Sequence, residues 1–523
     1  MPARRPEIGK QLTPGSNVAT NTYTSISRRP LQAGSLLLLS AIAVASAIAF
    51  TGATLAAAPP GGLTLAPDPT GVIATFNVAG AMDLGNPFFR SLGSNGRSCA
   101  TCHLPAEAMS FTPAHARQVY AETQGADPLF ASVDGADCPG TARADRPGHS
   151  LILGNGLIRV GLAIPATTEY SISLVRDPTG CALRLDPRTS LLTASVYRRP
   201  LPAANLAFLS AVMFDGRETL APLTTPSSFT ANLRADLAHQ AIDATTGHAQ
   251  APSPPSDALA QAIVDFELGL FAAQYADAQA GRLDRGGAGG GPVDLASQPY
   301  YPGINDSLGA DPFGLPFNAA AMSLYQAWET APPAGDEDQD AARADVAAGE
   351  KLFNNLPLSI SNVRGLNDNP ALGRPTTFIG SCTSCHDTPN MGNHSLPLPL
   401  DIGTAHSADP SFEPDPAIRA AVAQLSGPQL PVFLVAGCPN PFNAGQPESF
   451  YTSDPGRALI TGKCSDFNRL KGPILRGLAG RAPYFHNGAA ATLLELVNFY
   501  DRRFQLGLTI PQRRQLVAFL NSL

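Results

Sequence analysis

Two short motifs of the form C-x-x-C-H constrain this chain more than any other feature of its sequence. They consist of Cys99, Cys102 and His103 in the first copy and Cys382, Cys385 and His386 in the second. Two thiols at this spacing add across the vinyl groups of one porphyrin, and the adjacent histidine becomes the proximal iron ligand. For a single copy, a redox-active cysteine pair or half of a zinc site is the alternative. Two copies, with no second C-x-x-C beside either, predict two covalently attached c-type haems.

The composition narrows the class of protein. A chain of 523 residues is long enough for two or three domains with separate cores. Its formal net charge of -7 gives no basic patch, so nucleic acid is excluded as a partner. The 49 prolines and 48 glycines, with only 15% charged residues, favour a loop-rich fold held by cofactors.

The N-terminus carries an export segment. Arg28 and Arg29 precede a stretch without charged residues that begins at Leu31 and continues through alanine-rich sequence to Pro60. This pattern is typical of a signal peptide, but the stretch is also long enough to span a bilayer. Residues 1–60 are therefore interpreted as a signal peptide or an N-terminal membrane anchor. Because c-type haem is attached outside the cytoplasmic membrane, the expected location is the periplasm, with anchoring to the inner membrane as the alternative.

Four cysteines lie outside the haem motifs. Cys138 and Cys181 lie between the motifs, and Cys438 and Cys464 follow the second one. An even number of cysteines in an oxidising compartment favours disulfides. Their order along the chain favours the pairs Cys138–Cys181 and Cys438–Cys464, and buried free thiols are the alternative.

The chain divides into two halves with one motif each. A proline-rich and then acidic run predicts a linker at 331–344, between an N-terminal haem domain at 61–330 and a C-terminal haem domain at 345–523. A helix start at Thr509, followed by apolar residues at 516, 519, 520 and 523, predicts an amphipathic terminal helix. Strand patterns are limited to short runs near 151–160 and 172–175.

Further stretches carry a family resemblance. They are Met-Phe-Asp-Gly-Arg at 213–217 and the segments 470–478, 482–488 and 491–493. With the two haem motifs, they resemble the bacterial di-haem cytochrome c peroxidase superfamily, which includes MauG and the di-haem rubber oxygenases, over residues 75–523. The resemblance implies a mainly α fold with two cytochrome c-like haem domains, long irregular loops and little β. It also implies that the N-terminal haem meets peroxide or oxygen while the C-terminal haem relays electrons.

The resemblance makes the two haems unequal. His103 becomes the only permanent protein ligand of the reacting haem, and His386 becomes the proximal ligand of the relay haem. In relatives, the second ligand of the relay haem is methionine in classical peroxidases and tyrosine in the MauG type, and ungapped counting places Tyr500 there. A phenolate stabilises ferric and high-valent iron, whereas a thioether favours ferrous iron. Met391, with His394 behind it, is the competing ligand.

The distal catalytic groups depart from the family pattern. Relatives carry a glutamine and, ten residues later, a glutamate. The glutamine segment matches at Gln240, but Gln250 stands where the glutamate is expected, and His248 is nearby. An amide does not transfer protons as a carboxylate does. Either His248 takes the acid and base role or peroxide cleavage is slow, and a solvated loop histidine is the alternative reading.

Two more departures concern the region between the haems. Phe214 replaces the tryptophan that relatives carry there, and the single tryptophan of the chain, Trp328, lies elsewhere. A phenyl ring is much harder to oxidise than an indole, so electron hopping through this position is disfavoured. Relatives also hold a calcium ion through an asparagine, and counting places Arg199 at that position. Calcium is therefore disfavoured as a third cofactor, unless backbone carbonyls near Arg481 and Pro483 suffice with water.

The sequence predicts a peroxidase-like oxidoreductase with two covalently bound haem c groups. Its partners would be hydrogen peroxide or dioxygen, and an electron donor that is a small cytochrome c, a cupredoxin or an oxidisable substrate. Three alternatives stay open: a dioxygenase that cleaves carbon–carbon double bonds, MauG-like oxidation of a protein substrate, and a non-enzymatic electron carrier. The missing glutamate favours the oxygenase among these.

Overall fold

A computed structural model describes residues 61–186, 190–386, 398–407, 409–442 and 446–523. The predicted export segment at 1–60 and the competing ligands Met391 and His394 lie outside the described residues. Within the described ranges, no helix has both the length and the apolar composition needed to cross a bilayer.

The helices are mostly short. In chain order, those described are α1 (Pro113–Thr123), α2 (Ser150–Asn155), α3 (Pro226–Gly247), α4 (Asp257–Leu268), α5 (Pro292–Ala296), α6 (Glu337–Asn355), α7 (Pro416–Val422), α8 (Ala458–Thr461), α9 (Leu493–Phe504) and α10 (Ile510–Asn521). Several, including α1, α3 and α7, carry proline in the first turn, where its missing N–H has no intrahelical partner to lose.

The strands form four small antiparallel sheets. They are β1 (Leu63–Asp68), β2 (Gly71–Asn77), β3 (Ile158–Ala163), β4 (Ser171–Arg176), β5 (Leu183–Leu185), β6 (Leu192–Arg198), β7 (Leu270–Asp277), β8 (Gly281–Arg282), β9 (Leu358–Ile360), β10 (Phe378–Gly380), β11 (Val432–Pro439) and β12 (Pro447–Thr452). The sheet orders are β1-β2-β7-β8, β3-β6-β5, β12-β11-β4 and β10-β9. This is more strand than the sequence indicates, and the mainly α fold class stays a prediction.

The sheet of β4, β11 and β12 joins the two halves of the chain. Ile172 of β4 is in register with Val435 of β11. The sequence pattern near 172–175 therefore marks a real strand, but its partner lies beyond the second haem motif.

Both haem motifs begin in a short 3-10 turn with the same cap. The turns span Cys99–Thr101 and Cys382–Ser384. In each turn, the serine before the first cysteine forms a capping box with the third residue of the turn. The two halves thus build their motifs in the same way.

A helix near the end of each half packs against the motif. Phe266 of α4 lies 5.1 Å from Phe88 between ring centroids, and Phe519 of α10 lies 5.3 Å from Phe353. Phe88 lies 6.4 Å from the first motif histidine, and Phe353 lies 6.3 Å from the second. Each motif imidazole is therefore supported by its own pair of phenyl rings, and the two pairs are arranged in the same way.

The crossing of α6 and α10 depends on a glycine. A Cβ added at Gly349 would lie 2.0 Å from the carbonyl oxygen of Gln515. Only a residue without a side chain allows the two backbones to approach this closely, and this approach places α10 against the second motif.

The segment predicted as a linker at 331–344 is helical from residue 337 onward. The helix α6 begins at Glu337, and the side chain of its N-cap, Asp336, accepts hydrogen bonds from the backbone N–H groups of Asp338 and Gln339. Acidic side chains in a first helical turn are stabilised by the positive end of the helix dipole. The acidic run is therefore a helix start rather than a solvated connection.

The predicted terminal helix is confirmed. It spans Ile510–Asn521, and Thr509 forms a capping box with Gln512. Its apolar stripe is buried at Leu516, Phe519 and Leu520, as the spacing predicts.

The four cysteines outside the motifs form two disulfides. Cys138 is bonded to Cys181, and Cys438 is bonded to Cys464. This is the pairing that the order of the cysteines favours. The motif cysteines take no part in either bond.

The Gly349 crossing gives a stability prediction. Gly349→Leu should lower the free energy of unfolding by about 1–3 kcal/mol, because the new side chain needs space that the α10 backbone occupies. Ala344→Leu adds the same side chain at an exposed position of α6 and should change stability by no more than about 0.5 kcal/mol. Denaturant unfolding followed by circular dichroism measures both, and equal stabilities of the two variants would contradict the close approach.

Candidate haem sites

A cavity of about 1440 Å³, partly open to solvent, lies against the first motif. Cys99, Cys102 and His103 line it. The Nδ1 of His103 lies 2.9 Å from the carbonyl oxygen of Met109, which leaves Nε2 as the nitrogen available to a metal. Burial lowers the pKa of His103 and so favours the neutral imidazole, which is the form that binds metals.

A second cavity, of about 1810 Å³, lies against the second motif. Cys382, Cys385, His386 and Tyr500 line it together with many leucine side chains. Burial lowers the pKa of His386 to about 4. This cavity is therefore apolar, and its histidine is neutral.

The residues of both cavities fit a covalently bound porphyrin. Each cavity holds two thiols and an imidazole on one wall, and neither motif closes into an internal disulfide. Among the described residues, the cluster with metal-ligating geometry is Glu218, His239 and Asp243, which includes no motif residue. A zinc site at either motif is therefore not supported.

Tyr500 of α9 shares its cavity with His386. Burial, followed by the charges of the Cys382 and Cys385 thiols, raises the pKa of its phenol. A phenol in such surroundings stays protonated unless a cation binds its oxygen. The placement is compatible with iron ligation, which stays a prediction.

The predicted distal residues separate into two groups. Gln240 of α3 and His248, the C-cap residue of this helix, line the first cavity. Gln250 is not among the lining residues. Its side chain is exposed and accepts a hydrogen bond of 3.2 Å from Asn95. The backbone at Gln250 turns with φ of 55°, so the structure does not bring its amide to the cavity with the other two.

Asp134 is the candidate functional residue that sequence reasoning missed. Its carboxylate accepts hydrogen bonds from the guanidinium of Arg97 and from Nδ1 of His248, and all three residues line the first cavity. Burial opposes ionisation, but the charges of Arg97 and His248 outweigh it and lower the pKa of Asp134. Asp134 and His248 are 114 residues apart, so no local pattern links them.

One wall belongs to both cavities. The shared residues are Arg199, Pro200, Leu201, Pro202, Phe214, Lys471 and Ile474. The backbone N–H of Lys471 donates to the carbonyl of Phe214 at 2.8 Å, and its ammonium donates to the carbonyl of Ala211 at 2.7 Å. Burial lowers the pKa of Lys471 to about 7. Phe214 therefore lies between the cavities beside a buried amine.

Arg199 acts as a fixed cation among backbone carbonyls. Its guanidinium donates to the carbonyl oxygens of Phe111 at 2.7 Å, Gly156 at 3.0 Å and Asn155 at 3.3 Å. A further hydrogen bond of 3.3 Å reaches the carbonyl of Arg481. Burial and the charge of Arg481 lower the pKa of Arg199 to about 9. Carbonyl oxygens are also typical calcium ligands, and here a side-chain cation satisfies them.

Comparison with known proteins finds partial similarity to cytochrome c peroxidases. No protein-family model matches it. It is 30% identical over 159 residues to a cytochrome-c peroxidase of Denitromonas iodatirespirans, a match that covers 28% of this chain and 37% of the relative. The cytochrome c peroxidase of Escherichia coli is 39% identical over 93 residues, covering 17% and 19%. These matches confirm the resemblance to the di-haem cytochrome c peroxidase superfamily.

The matches are partial. A second cytochrome-c peroxidase of Denitromonas iodatirespirans is 36% identical over 81 residues, which is 13% of this chain and 22% of that protein. The matched part thus spans at most 37% of these curated peroxidases. Among solved structures, a MauG-like protein associated with microbial copper homeostasis is 14% identical, with a TM-score of 0.34 and coverage of 84% and 87%.

Because the guanidinium of Arg199 bonds to these carbonyls, we expect the fold to be stable without calcium. Chelation by EDTA should leave the unfolding temperature of the holoprotein unchanged, because the guanidinium already satisfies the carbonyls. Arg199→Leu should lower the free energy of unfolding by about 1–3 kcal/mol, since buried carbonyls lose their donor.

Arg117 provides the matched control. It is exposed and donates to the carbonyl of Leu153 at 2.9 Å, so Arg117→Leu should change stability by no more than about 0.5 kcal/mol. Thermal unfolding with and without EDTA measures all three proteins. Destabilisation of the unmodified protein by EDTA would contradict the role given to Arg199.

Proposed function

We propose that this protein is an exported di-haem oxidoreductase that reduces hydrogen peroxide at the haem site of His103. Electrons reach that site through the haem site of His386. The observation that carries the proposal is the unequal lining of two cavities that share one wall. Gln240 and His248 offer hydrogen-bonding groups in the first cavity, whereas Tyr500 offers a candidate second ligand in the other. An open site beside a closed one is what peroxide reduction with a separate electron relay requires.

The chain handles the protons of the reaction. Bound haem supplies the iron that exchanges electrons with peroxide. The Asp134 carboxylate holds Nδ1 of His248, which leaves Nε2 to take a proton from peroxide and return it to the departing oxygen. The His248 side chain is 40% exposed, so protons pass between the cavity and water through it. The Gln240 amide, which lines the same cavity, would donate a hydrogen bond to peroxide there.

Electrons cross the shared wall by tunnelling. Phe214 lies in this wall, with its ring 6.0 Å from the imidazole of His486 between centroids. Because a phenyl ring is hard to oxidise, the electron does not stop on Phe214. The donor that supplies these electrons is a small cytochrome c or a cupredoxin.

The periplasm is the proposed location. Two disulfides, Cys138–Cys181 and Cys438–Cys464, are typical of a protein that folds in an oxidising compartment. Covalent haem attachment at C-x-x-C-H occurs on the same side of the membrane. Both features agree with the export segment predicted from residues 1–60.

His248 provides the test of peroxide reduction. His248→Gln should lower kcat/KM for hydrogen peroxide by roughly 10²–10³-fold, because the proton carrier is lost. His239→Gln is the matched control, since His239 lies on the same helix but bonds to Glu218 at 2.7 Å and does not line the cavity. The measurements are stopped-flow mixing of peroxide with the diferric holoprotein, followed in the Soret region, and steady-state oxidation of reduced cytochrome c. Inertness of the unmodified protein toward peroxide would contradict the proposal.

An oxygenase remains the second candidate because of Gln250. The position at which relatives carry a glutamate holds an exposed amide that does not line the cavity. Oxygen uptake with a polyene, without turnover of peroxide, would select this candidate over the peroxidase.

Tyr500 ligation gives a separate prediction. Tyr500→Phe removes the candidate ligand oxygen and should change the low-spin ferric spectrum and the potential of the C-terminal haem. Tyr484→Phe is the control, because Tyr484 lines the same cavity but donates its hydroxyl to the carbonyl of Leu478 at 3.1 Å. Electronic and resonance Raman spectra of both variants are compared with those of the unmodified protein. Identical spectra for Tyr500→Phe and the unmodified protein would remove Tyr500 from the iron.

A further inference from the structure

The helices α4 and α10 hold equivalent places in the two halves. Their sequences align without a gap, Ile-Val-Asp-Phe-Glu at 263–267 with Leu-Val-Ala-Phe-Leu at 516–520. In both helices, the phenylalanine packs on the ring that contacts the motif histidine. The alignment therefore pairs Glu267 with Leu520.

Both members of this pair face a haem cavity. Ile263 and Glu267 line the first cavity, and Leu516 and Leu520 line the second. The spacing of four residues places each couple on one helical face. One haem cavity thus holds a carboxyl group where the other holds an apolar side chain.

Glu267 is a buried acid without a bonding partner. It is 5% exposed, and its Oε2 makes no hydrogen bond within the described part of the chain. It lies near Cys99, whose thiol pKa is raised by burial and then by the charge of Glu267. Burial alone raises the pKa of Glu267 to about 8. A buried carboxylate without a partner is costly, and such groups concentrate at functional sites.

The other charged groups around this cavity are held by different partners. The charged and titratable residues on its walls, besides Glu267, are Arg90, Arg97, Cys99, Cys102, His103, Asp134, Arg198, Arg199, Arg217, His248 and Lys471. Arg97 and His248 bond to Asp134, and the remaining cations with described bonds donate to aspartates or backbone carbonyls. Among the described residues, none forms a salt bridge or hydrogen bond with Glu267. No fixed counter-ion therefore holds this carboxyl group in its ionised form.

We propose that Glu267 is the redox-linked acid of the N-terminal haem site, an inference that rests on haem binding in the proposed function. When one electron from the donor reaches this site at a pH above the pKa of Glu267, the ionised carboxylate takes one proton from solvent, so the net charge of the site is unchanged. A carboxylate near the iron favours the oxidised state, since it attracts the more positive form. Leu520 gives the C-terminal haem no such group. Glu267 thus lowers the reduction potential of the N-terminal haem and makes that potential fall as pH rises.

Spectroelectrochemical titration of the holoprotein tests this inference. Both haems are titrated at a series of pH values on either side of 8, where the Glu267 carboxyl changes charge. In the unmodified protein, the equilibrium constant for reduction of the N-terminal haem should fall by up to tenfold per pH unit above pH 8, which is about 59 mV for one electron. In Glu267→Gln, this potential should rise and lose that slope.

The equivalent position supplies the controls. Glu267→Leu introduces the residue found at the equivalent position of α10 and should behave like Glu267→Gln. With two variants, the test still decides if one of them fails to bind haem. Leu520→Gln adds an amide to the other cavity and should leave the N-terminal potential and its slope unchanged. An unaltered slope in both Glu267 variants would overturn the inference.

The outcome is separable from that of the peroxidase assay. A pH-independent N-terminal potential in a protein that turns over peroxide would refute only the role of Glu267. A Glu267-dependent slope in a protein inert to peroxide would refute only the peroxidase. Absence of covalent haem from the purified protein, seen by haem staining, would refute both.

Discussion

The packing of two phenyl rings next to each motif histidine is the interaction on which the rest of this structure depends. A C-x-x-C-H motif fixes two thiols and an imidazole within one turn, but it does not fix where the imidazole points. Here Phe88 and Phe353 each contact a motif histidine, and each is itself covered by a phenylalanine from a crossing helix. The same helices, α4 and α10, then line the cavities above the motifs. Support for the histidine and the shape of the site come from one packing arrangement used twice.

The difference between the two sites lies in what surrounds this shared frame. The first cavity gathers ionisable and amide groups, including Asp134, His248 and Gln240, whereas the second is lined largely by leucine around Tyr500. Between them, the common wall contains the buried cation Arg199 and the buried amine of Lys471, both of which donate to backbone carbonyls. Buried positive charge in this wall stabilises electrons on either side of it. A duplicated frame with unequal linings is a simple way to obtain two haems with different tasks.

Much of this arrangement could be predicted from the sequence because its signals are local. The haem motifs, the terminal helix at Ile510–Asn521 and the order of the disulfide cysteines are each readable within a short window. The acidic run at the start of α6 could not be distinguished from a linker, because a charged first turn and a solvated linker have the same composition.

The parts that could not be predicted depend on long-range contacts. The pairing of β4 with β11 and the contact of Asp134 with His248 join residues from distant parts of the chain. Gln250 follows the family spacing, yet the turn after α3 directs it to the surface. The role proposed for Glu267 could not be predicted from its own helix, where a glutamate is a common residue. It emerges only when α4 is compared with α10.

Electron paramagnetic resonance of the fully oxidised protein tests the central claim, that one haem is open and the other closed. The account predicts one high-spin ferric signal, from the site of His103, together with one low-spin signal from the site of His386. Two low-spin signals with no high-spin component would contradict it, because both irons would then be six-coordinate and neither would accept peroxide.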